Sequence, residues 1–535
     1  MLTYDFSDLK EEPLYDYLYR KIRTDILAGH LKPGERMPSK RAFAANLGIS
    51  VITVETAYAQ LTAEGYLNAR PRSGYYVAQI HEALLVPEGP AAAGKQLDNP
   101  ETRSPETRSP ETRSPEAQSP VNRSRLPEGT ARGLANGAAG ARREAQKPVR
   151  EFVIDLAQAG SDPSMFPFPV WSKLTREILR TRQSELLERS PGQGLEVLRQ
   201  AIAGYLLQYR SLSVSPDQII IGAGTEYLYG LLIRLLGNDL VYAVESPGYP
   251  KTARIYESGG VRVCPIPMDG KGMDVGKLRE SGADVVHVSP SHQFPTGVTM
   301  PVSRRSELLA WSTEGSALRY IIEDDYDSEF RLSGRPIPSL MSIDRSGTVI
   351  YLNTFTKSVA PTIRISYMVL PEALLARYRS KLGFYSCTVA NYEQYILAEF
   401  IRRGHFEKHI NRMRNQYRQK RDRLLDAIRR CGPDGNMEAE GADAGLHFLL
   451  HVSVRCGEEE LSRRAAASGV RIFGLGTYAL HGVGETDRAE QDPCMVVSYS
   501  GLTDEQIPEA TRRLKEAWSD QFVIAHTGKK RYNPK

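Results

Sequence analysis

Residues 348–367 read TVIYLNTFTKSVAPTIRISY, an apolar, β-rich run followed within four residues by a lysine. Similar apolar runs recur upstream, separated by segments with helical patterns, at 218–222, 239–245, 283–289 and 319–324. Strands so apolar, joined by helices, are typical of a largely parallel sheet that is covered on both faces. Residues 151 to about 525 are therefore predicted to form an α/β domain.

Lys357 follows the last of these strands, where the chain turns across the carboxyl edge of the predicted sheet. Open α/β sheets bind ligands at that edge. A lysine whose pKa is lowered by partial burial forms a Schiff base with an aldehyde. Thr354 and Thr356 offer hydroxyl groups, and Arg364 offers a guanidinium suited to phosphate. Each residue alone could be an ordinary surface side chain, but together they suit a cofactor that carries an aldehyde and a phosphate.

A second polar group lies in RYIIEDDYDSEF (319–330), where Asp324 ends a predicted strand thirty-three residues before Lys357. If the two strands are neighbours, the Asp324 carboxylate faces the same site. Pyridoxal phosphate (PLP) needs such a carboxylate, because a protonated pyridine ring is a better electron sink. Tyr326 could donate to the ring hydroxyl. The alternative is an acidic cation-binding loop, although the Gly and the later Glu of an EF-hand are absent.

Two further segments follow predicted strands of the same sheet. In IIIGAGTEYLYGLL (219–232) a strand leads through small residues into a helix, so the amides of Gly224 and Thr225 could bind an anion. ESPGYP (245–250) presents Tyr249 after another strand. Tyr249 is either a platform that stacks on a cofactor ring or a packed loop residue.

The N-terminal residues 37–77 read MPSKRAFAANLGISVITVETAYAQLTAEGYLNARPRSGYYV. Ser39 is predicted to cap a helix that runs to Leu47, and Gly48 supplies the turn after it. Ser50 is predicted to cap a second helix, whose apolar stripe has 3.6-residue spacing and consists of Val51, Val54, Tyr58 and Leu61. Two short helices joined by a tight turn make a helix-turn-helix, whose second helix enters a DNA major groove.

The segment after the second helix, NARPRSGYYV, is predicted to form a β-hairpin wing. Arg70 and Arg72 on this wing could contact phosphates or the minor groove. Between residues 20 and 80, nine Lys/Arg stand against four Asp/Glu, although the net charge of the whole chain is only +5. This local surplus suits a polyanion.

The segment from about 81 to 150 differs from both neighbours in composition. It contains PETRSPETRSPETRSPEAQSP and has almost no aromatic or large aliphatic residues. Because such a segment buries too little apolar surface to offset its ordering entropy, a disordered linker is predicted. The domains are thus expected at 1–80, 151–525 and a basic tail at 526–535, with the linker at 81–150.

The bulk composition favours a reduced, cytoplasmic location. No apolar run approaches the roughly 18 residues of a membrane span, and the first twenty residues lack the pattern of a signal peptide. The five cysteines are scattered and show no CxxC spacing, which argues against a disulfide framework or a metal site.

The motifs of the first eighty residues resemble the winged-helix domain of the GntR family, with PSKRAFA, LGIS, AYAQL, EGYL and SGYYV in the family's order. The resemblance covers about residues 10 to 78. It implies that Arg41, Ser50 and Thr53 lie with the wing on the DNA side. The family often has a basic residue after the capping serine, and here that position is Val51, so the base preference does not carry over.

Residues 151 to about 520 resemble a fold-type I aminotransferase in MFPFPVW, PGQGLEVLRQAIAGYL, GAGTEY, ESPGYP, SPSHQFPTG and GLHFLLHV. With the GntR-type winged helix in front, the whole chain is similar to the MocR/GabR subgroup of transcription regulators. The resemblance implies a Schiff-base lysine at Lys357, Asp324 on the pyridine nitrogen and Tyr326 on the ring oxygen. It further implies that Tyr249 stacks on the ring and that the phosphate is surrounded by Gly224, Thr225, Thr354 and Arg364.

The sequence departs from aminotransferases in two places. Phe294 replaces the Asn of the usual Asn-Pro-Thr-Gly, and either His292 or Gln293 could substitute for its contact to the ring oxygen. Thr477 lies about where related regulators present an arginine to a carboxylate, and Lys251 stands in place of another arginine. Lys251 is the candidate to recognise the acid end of an effector.

The favoured hypothesis is a PLP-dependent regulator that binds operator DNA through its winged helix. An amine or amino acid would be sensed by forming an external aldimine at the expense of the Lys357 linkage. The resemblance implies a homodimer in which the linker lets each winged helix reach its partner subunit. One alternative is a working aminotransferase with a DNA-binding appendage, and another is a DNA-binding scaffold without cofactor.

Overall fold

The computed structural model describes residues 13–70, 73–79, 152–158, 162–315, 319–332, 337–431, 436–480 and 492–522, with Tyr4, Phe6, Gly160 and Val483. The predicted linker at 81–150, the predicted basic tail at 526–535 and Arg72 lie outside the described residues. In the part of the chain that is described, no helix is long and apolar enough to cross a membrane.

The N-terminal module is a winged helix-turn-helix. Its elements are α1 (Leu14–Leu27), α2 (Lys40–Leu47), α3 (Val51–Ala63), β1 (Leu67–Arg70) and β2 (Gly74–Val77). The Ser39 hydroxyl accepts the Ala42 amide and the Ser50 hydroxyl accepts the Thr53 amide, so both predicted caps are confirmed. The two strands of the wing pair antiparallel, as predicted.

One predicted core position in α3 is wrong. Val54, Tyr58 and Leu61 are buried, but Val51 is 41% exposed and its neighbour Ile52 is 74% exposed. Both residues lie in the first turn of α3, which extends beyond the hydrophobic core of the module. The helix therefore presents two apolar side chains outward at the end that the sequence assigns to DNA.

The α/β domain is built on one eight-stranded sheet. Its strands are β4 (Ile219–Gly222), β5 (Val241–Ser246), β6 (Arg262–Asp269), β7 (Gly272–Met273), β8 (Val285–Val288), β9 (Tyr320–Asp324), β10 (Val349–Thr354) and β11 (Ser366–Val369), in the order β4-β11-β10-β9-β8-β5-β6-β7. The five strands from β10 to β6 pair in parallel, while β11 runs antiparallel to both neighbours. The predicted, largely parallel sheet is confirmed, and its buried strands explain their apolar sequences.

Helices cover this sheet and connect it to a smaller C-terminal part. They are α4 (Phe168–Thr181), α5 (Gln183–Leu187), α6 (Glu196–Arg210), α7 (Thr225–Leu236), α8 (Pro250–Ser258), α9 (Val275–Glu280), α10 (Val302–Thr313), α11 (Phe355–Ser358), α12 (Glu372–Leu382), α13 (Asn391–Arg402), α14 (His405–Cys431), α15 (Glu458–Ala467) and α16 (Gln506–Trp518).

The smaller part contains a four-stranded antiparallel sheet in the order β12-β13-β16-β15, and β14 pairs with β3. These strands are β3 (Ile154–Asp155), β12 (Met437–Glu440), β13 (His447–Val452), β14 (Val470–Arg471), β15 (Phe473–Gly474) and β16 (Cys494–Ser498).

A buried ion pair anchors the loop that follows β9. Arg210 Nη2 lies 2.8 Å from Asp325 Oδ2, and both side chains are almost completely enclosed. The same carboxylate oxygen accepts the hydroxyl groups of Tyr351 (2.6 Å) and Ser328 (2.8 Å). Because Asp325 sits between Asp324 and Tyr326, these bonds determine where both neighbours point.

We expect Arg210→Met to destabilise the chain by about 3–5 kcal/mol, because it leaves the Asp325 charge buried without its partner. The double variant Arg210→Met/Asp325→Asn should recover much of this loss, since no buried charge remains. Urea unfolding of the wild type, both single variants and the double variant measures the coupling. A loss below about 1 kcal/mol in Arg210→Met would contradict the anchoring role.

Candidate cofactor and effector site

Asp324 ends β9, and Lys357 follows β10. These two strands are parallel neighbours, which is the arrangement on which the predicted site depends. In the register of β9 and β10, Asp324 stands opposite Leu352. Thr354 ends β10 two residues further on, and the short helix α11 then carries Lys357. Both side chains therefore emerge at the carboxyl edge of the sheet, where open α/β folds bind ligands.

In the part of the chain that is described, the Asp324 carboxylate is hydrogen-bonded through one oxygen only. Its Oδ2 accepts the hydroxyl of Tyr229 at 2.6 Å and lies 3.4 Å from Nε2 of His287. The other ring nitrogen of His287 is 2.7 Å from the Tyr256 hydroxyl. Asp324 Oδ1 is buried and has no hydrogen-bond partner among the described residues. A buried acceptor of this kind fits the protonated nitrogen of a pyridine ring.

Lys357 lies in a largely enclosed position. Burial lowers the pKa of its amine, and the nearby Asp327 opposes that shift. A lowered pKa increases the neutral fraction of the amine, which is the form that condenses with an aldehyde. The environment therefore suits the Schiff-base role that the resemblance implies for Lys357.

His292 connects Tyr326 to Asp327. Its Nδ1 lies 2.9 Å from Asp327 Oδ2 and 3.2 Å from the Tyr326 hydroxyl. Gln293 is engaged elsewhere, because its amide nitrogen donates to Pro247 O and its Oε1 accepts from Thr296. Of the two residues considered as substitutes for the missing Asn, the structure thus places His292 beside Tyr326 and uses Gln293 to brace its own loop.

The phosphate-binding candidates meet at the start of α7. Gly224 has φ +93°, and a Cβ there would lie 2.5 Å from Arg364 Nη2, so glycine allows the guanidinium to pack against the turn. Thr225 begins α7, whose free amides favour an anion. Arg364 also lies 3.6 Å from Glu226, which in turn binds Lys251. The effector candidate Lys251 therefore sits on the phosphate side of the site.

The Thr354 hydroxyl is buried and bonded within the turn that follows β10. It accepts the Thr356 amide at 3.2 Å and the Ser366 hydroxyl at 2.7 Å. These contacts fix the turn that leads from β10 into α11. The two threonines are therefore positioned by the backbone that also carries Lys357.

Tyr249 lies in the loop that follows β5 and is 54% exposed. Its ring meets Phe294 edge-on at 5.9 Å between centroids, and Phe294 packs in turn on His447 at 5.0 Å. The loop that carries Tyr249 is held in place by the Gly248 amide, which donates to Tyr478 O. An exposed face on a braced loop is the arrangement that ring stacking needs.

Sequence reasoning missed three residues around Asp324. Tyr229 lies one helical turn after Thr225, and His287 is a polar residue inside a buried apolar strand. The third is Glu245, whose Oε2 accepts the Ser289 amide and whose Oε1 is buried without a partner in the described ranges. A lone polar side chain in an apolar strand was the available signal for His287 and Glu245.

The described DNA-side candidates are exposed on the winged helix, apart from Thr53, which is half-buried. Arg41 is the second residue of α2, Ser50 caps α3 by accepting the Thr53 amide, and Arg70 ends β1 with its guanidinium 4.4 Å from the Tyr76 ring centre. Lys40 links these elements, because its amine binds Glu55 of α3 at 2.5 Å. The fifth candidate, Arg72, is outside the described residues.

Comparison with known proteins identifies both modules. Residues 14–77 match the family of bacterial regulatory proteins called gntR, and residues 153–514 match aminotransferase class I and II. The uncharacterized HTH-type transcriptional regulator YdeL of Bacillus subtilis is 36% identical over 95% of this chain and 97% of its own. The probable rhizopine catabolism regulatory protein MocR of Rhizobium meliloti is 30% identical over 95% and 94%.

Among solved structures, the multiple substrate aminotransferase of Thermococcus profundus superposes with a TM-score of 0.61. It is 26% identical and covers 70% of this chain and 92% of its own. A winged helix joined to an aminotransferase-type domain defines a DNA-binding regulator built on an enzyme fold. The chain belongs to the MocR/GabR subgroup of GntR transcription regulators, whose second domain is an aminotransferase class I and II domain.

Burial raises the pKa of Glu245 to about 8. The folded chain therefore keeps this carboxyl protonated while the unfolded chain ionises it near its usual pKa, so the contribution of Glu245 to stability falls as the pH rises towards 8. We expect Glu245→Gln to match the wild type at pH 5 and to be more stable by roughly 2–4 kcal/mol at pH 8.5.

Urea unfolding at the two pH values measures this difference. The exposed Glu438→Gln is the control and should leave the pH profile unchanged. Equal stability of Glu245→Gln and the wild type at pH 8.5 would contradict a neutral Glu245.

Proposed function

We propose that this regulator holds PLP at Lys357 and uses the cofactor to sense a primary amine or amino acid. Aminotransferase class I and II relatives are PLP-dependent, which supports the cofactor. The observation that carries the proposal is the pairing of Lys357, with its lowered pKa, and Asp324, whose buried Oδ1 has no partner among the described residues. Both lie at the same edge of one sheet.

When bound, PLP supplies an aldehyde that condenses with amines and a pyridine ring that withdraws electrons. Asp324 would hold the pyridine N–H, oriented by Tyr229 and His287. Tyr326 would donate to the ring oxygen, with His292 holding its hydroxyl. The phosphate would be surrounded by Gly224, Thr225, Thr354 and Arg364. Tyr249 would stack on the ring, and Lys251 would meet the acid group of an effector.

The output is proposed to be DNA binding by the winged helix as a homodimer. A ligand changes DNA affinity only if it binds two conformations of the chain with different affinity. In the structure the winged helix contacts the aminotransferase-type domain of its own chain. The linker that would carry it to a partner subunit lies outside the described residues, so the crossing remains a prediction. The cytoplasmic location is a separate prediction from the composition.

The test uses the full chain loaded with PLP and a duplex selected for binding from a random pool. A panel of amines and amino acids is screened for changes in the visible absorption band and in duplex affinity together. At least one compound should change both, and Lys357→Ala should lose both changes while still binding the duplex. The exposed Lys381→Ala should behave like the wild type.

Two outcomes would contradict the proposal. If Lys357→Ala keeps the amine response, sensing does not use this lysine. If amino donors and keto acceptors turn over at ordinary enzyme rates with no effect on DNA binding, the chain is an aminotransferase with a DNA-binding appendage.

We expect Arg41→Ala to weaken duplex binding uniformly across sequences and to lower the salt slope of log affinity by about 1, because one phosphate contact is lost. Lys32→Ala is the matched control, since Lys32 is an exposed cation on the turn after α1. Fluorescence anisotropy measures the duplex affinity and its salt slope, at about 50 to 200 mM salt. An unchanged slope in Arg41→Ala would remove Arg41 from the DNA face.

A further inference from the structure

The C-terminal end of the recognition helix α3 is docked on the aminotransferase-type domain. The Val302 amide, at the first residue of α10, donates to the Glu64 carbonyl at 3.0 Å. A Cβ on Gly65 would lie 2.7 Å from Cβ of Pro301, so the turn after α3 and the start of α10 are in close contact. We call this contact, made by Glu64 and Gly65 with Pro301 and Val302, the joint.

The joint is continuous with a hydrophobic core that both domains share. One cluster of buried apolar side chains includes members of the winged helix and members of the larger domain, among them Leu18, Ile22, Leu61, Met300, Val302, Leu308 and Trp311. Two modules that share such a core move together at their contact rather than slide freely.

A buried carboxyl group lies at the joint. The Glu64 side chain is 3% exposed and accepts the Tyr19 hydroxyl at 2.6 Å and the Gln60 amide. Burial raises the pKa of Glu64, and the cations Arg23 and Arg305 oppose that shift. Arg305 belongs to α10 and follows Val302 by three residues, so this arginine of the larger domain lies within one helical turn of the joint.

Arg305 also clamps the loop that enters the cofactor site. Its Nε donates to Met300 O at 2.9 Å and its Nη2 donates to Pro290 O at 3.0 Å. The loop 290–300 is closed by the Met300 amide, which donates to Pro290 O at 2.9 Å. Both ends of this loop are therefore fixed to one guanidinium.

The tip of the same loop carries His292 and Phe294 into the site. His292 contacts Tyr326 and Asp327, and Phe294 contacts Tyr249. One short, closed segment thus touches the surroundings of Lys357 at its tip and the winged helix at its base.

We infer that loop 290–300 transmits the state of the Lys357 site to the recognition helix, through Arg305 and the joint. Helix α3 has 13 residues and so spans about 20 Å, with Ser50 at its DNA end and Glu64 at the joint. A shift at the base of the loop would move the Glu64 end of α3. Because the helix is rigid, its Ser50 end would then change its angle to the DNA. This inference rests on the proposed function, because it names how that site regulates DNA binding.

The sharpest variant is Val302→Pro. It deletes the N–H that crosses the joint, while proline is favoured at the first position of a helix. Pro301 is already extended (φ −70°, ψ 159°), as a residue before proline should be. Glu372→Pro is the matched control, because Glu372 is also the first residue of a helix capped by a proline, Pro371, and lies in α12.

The probe is aminooxyacetate, whose alkoxyamine nitrogen replaces the Lys357 nitrogen on the aldehyde carbon of the cofactor. This exchange would convert the cofactor into an oxime and release the free amine of Lys357. It is added to the full chain loaded with PLP, with absorption and affinity for the selected duplex measured together. In the wild type and in Glu372→Pro we expect the affinity to change about fivefold or more. In Val302→Pro the absorption should change as in the wild type, but the affinity should change less than about twofold.

A full affinity response in Val302→Pro overturns the inference and leaves the proposed function intact. A wild type whose absorption changes without any change in affinity, or whose absorption does not change at all, overturns the proposed function instead. The two failures are therefore distinguishable.

Hydrogen exchange on the wild type tests the same route without a substitution. Aminooxyacetate should alter amide exchange in residues 290–305 and 62–67 but not in α16, which packs on α14 and α15 away from the joint. An effect in 290–305 that stops short of 62–67 would overturn the inference, even if Val302→Pro proves unstable.

Discussion

The site depends on a carboxylate whose hydrogen bonding is incomplete. Asp324 ends β9 with one oxygen held by Tyr229 and the other buried without a partner among the described residues. An unsatisfied buried acceptor costs roughly 1–3 kcal/mol. A cationic ring N–H, such as the proposed cofactor carries, would offset that cost if it lay in this place. The other site residues converge on the same edge of the sheet.

Two buried arginines hold the loops at this edge of the sheet in place. Arg210 holds Asp325, and through it the loop with Asp324 and Tyr326. Arg305 holds both ends of the loop with His292 and Phe294, and it lies in α10 three residues after Val302 of the joint. Because each arginine bonds backbone or buried carboxylate atoms, the loops they hold have few alternative positions. Rigid loops are what a sensor needs if a change at one end is to reach the other.

Sequence patterns predicted the elements well, because their signals are local. The capping serines and the apolar strands needed no knowledge of the tertiary fold. The neighbourhood of Asp324 and Lys357 needed the pairing of β9 with β10, which the parallel sheet made reasonable. Val51 was misassigned because its periodic spacing says nothing about where the core ends.

The partners of Asp324 and the joint carried weaker signals. Tyr229 and His287 come from two different elements, and only folding brings them to one carboxylate. Glu64 and Val302 are far apart in sequence, and nothing in either segment predicts that a backbone hydrogen bond joins them. Whether His292 or Gln293 lies beside Tyr326 depends on tertiary contacts, since the two side chains lie on one loop and have different partners.

The central claim is that one lysine, Lys357, holds the cofactor. The most direct measurement is borohydride reduction of the chain loaded with PLP, followed by proteolysis and mass spectrometry of every lysine-containing peptide. A phosphopyridoxyl group found on Lys357 alone is the predicted result. Modification of another lysine such as Lys251, or of none, would contradict the claim.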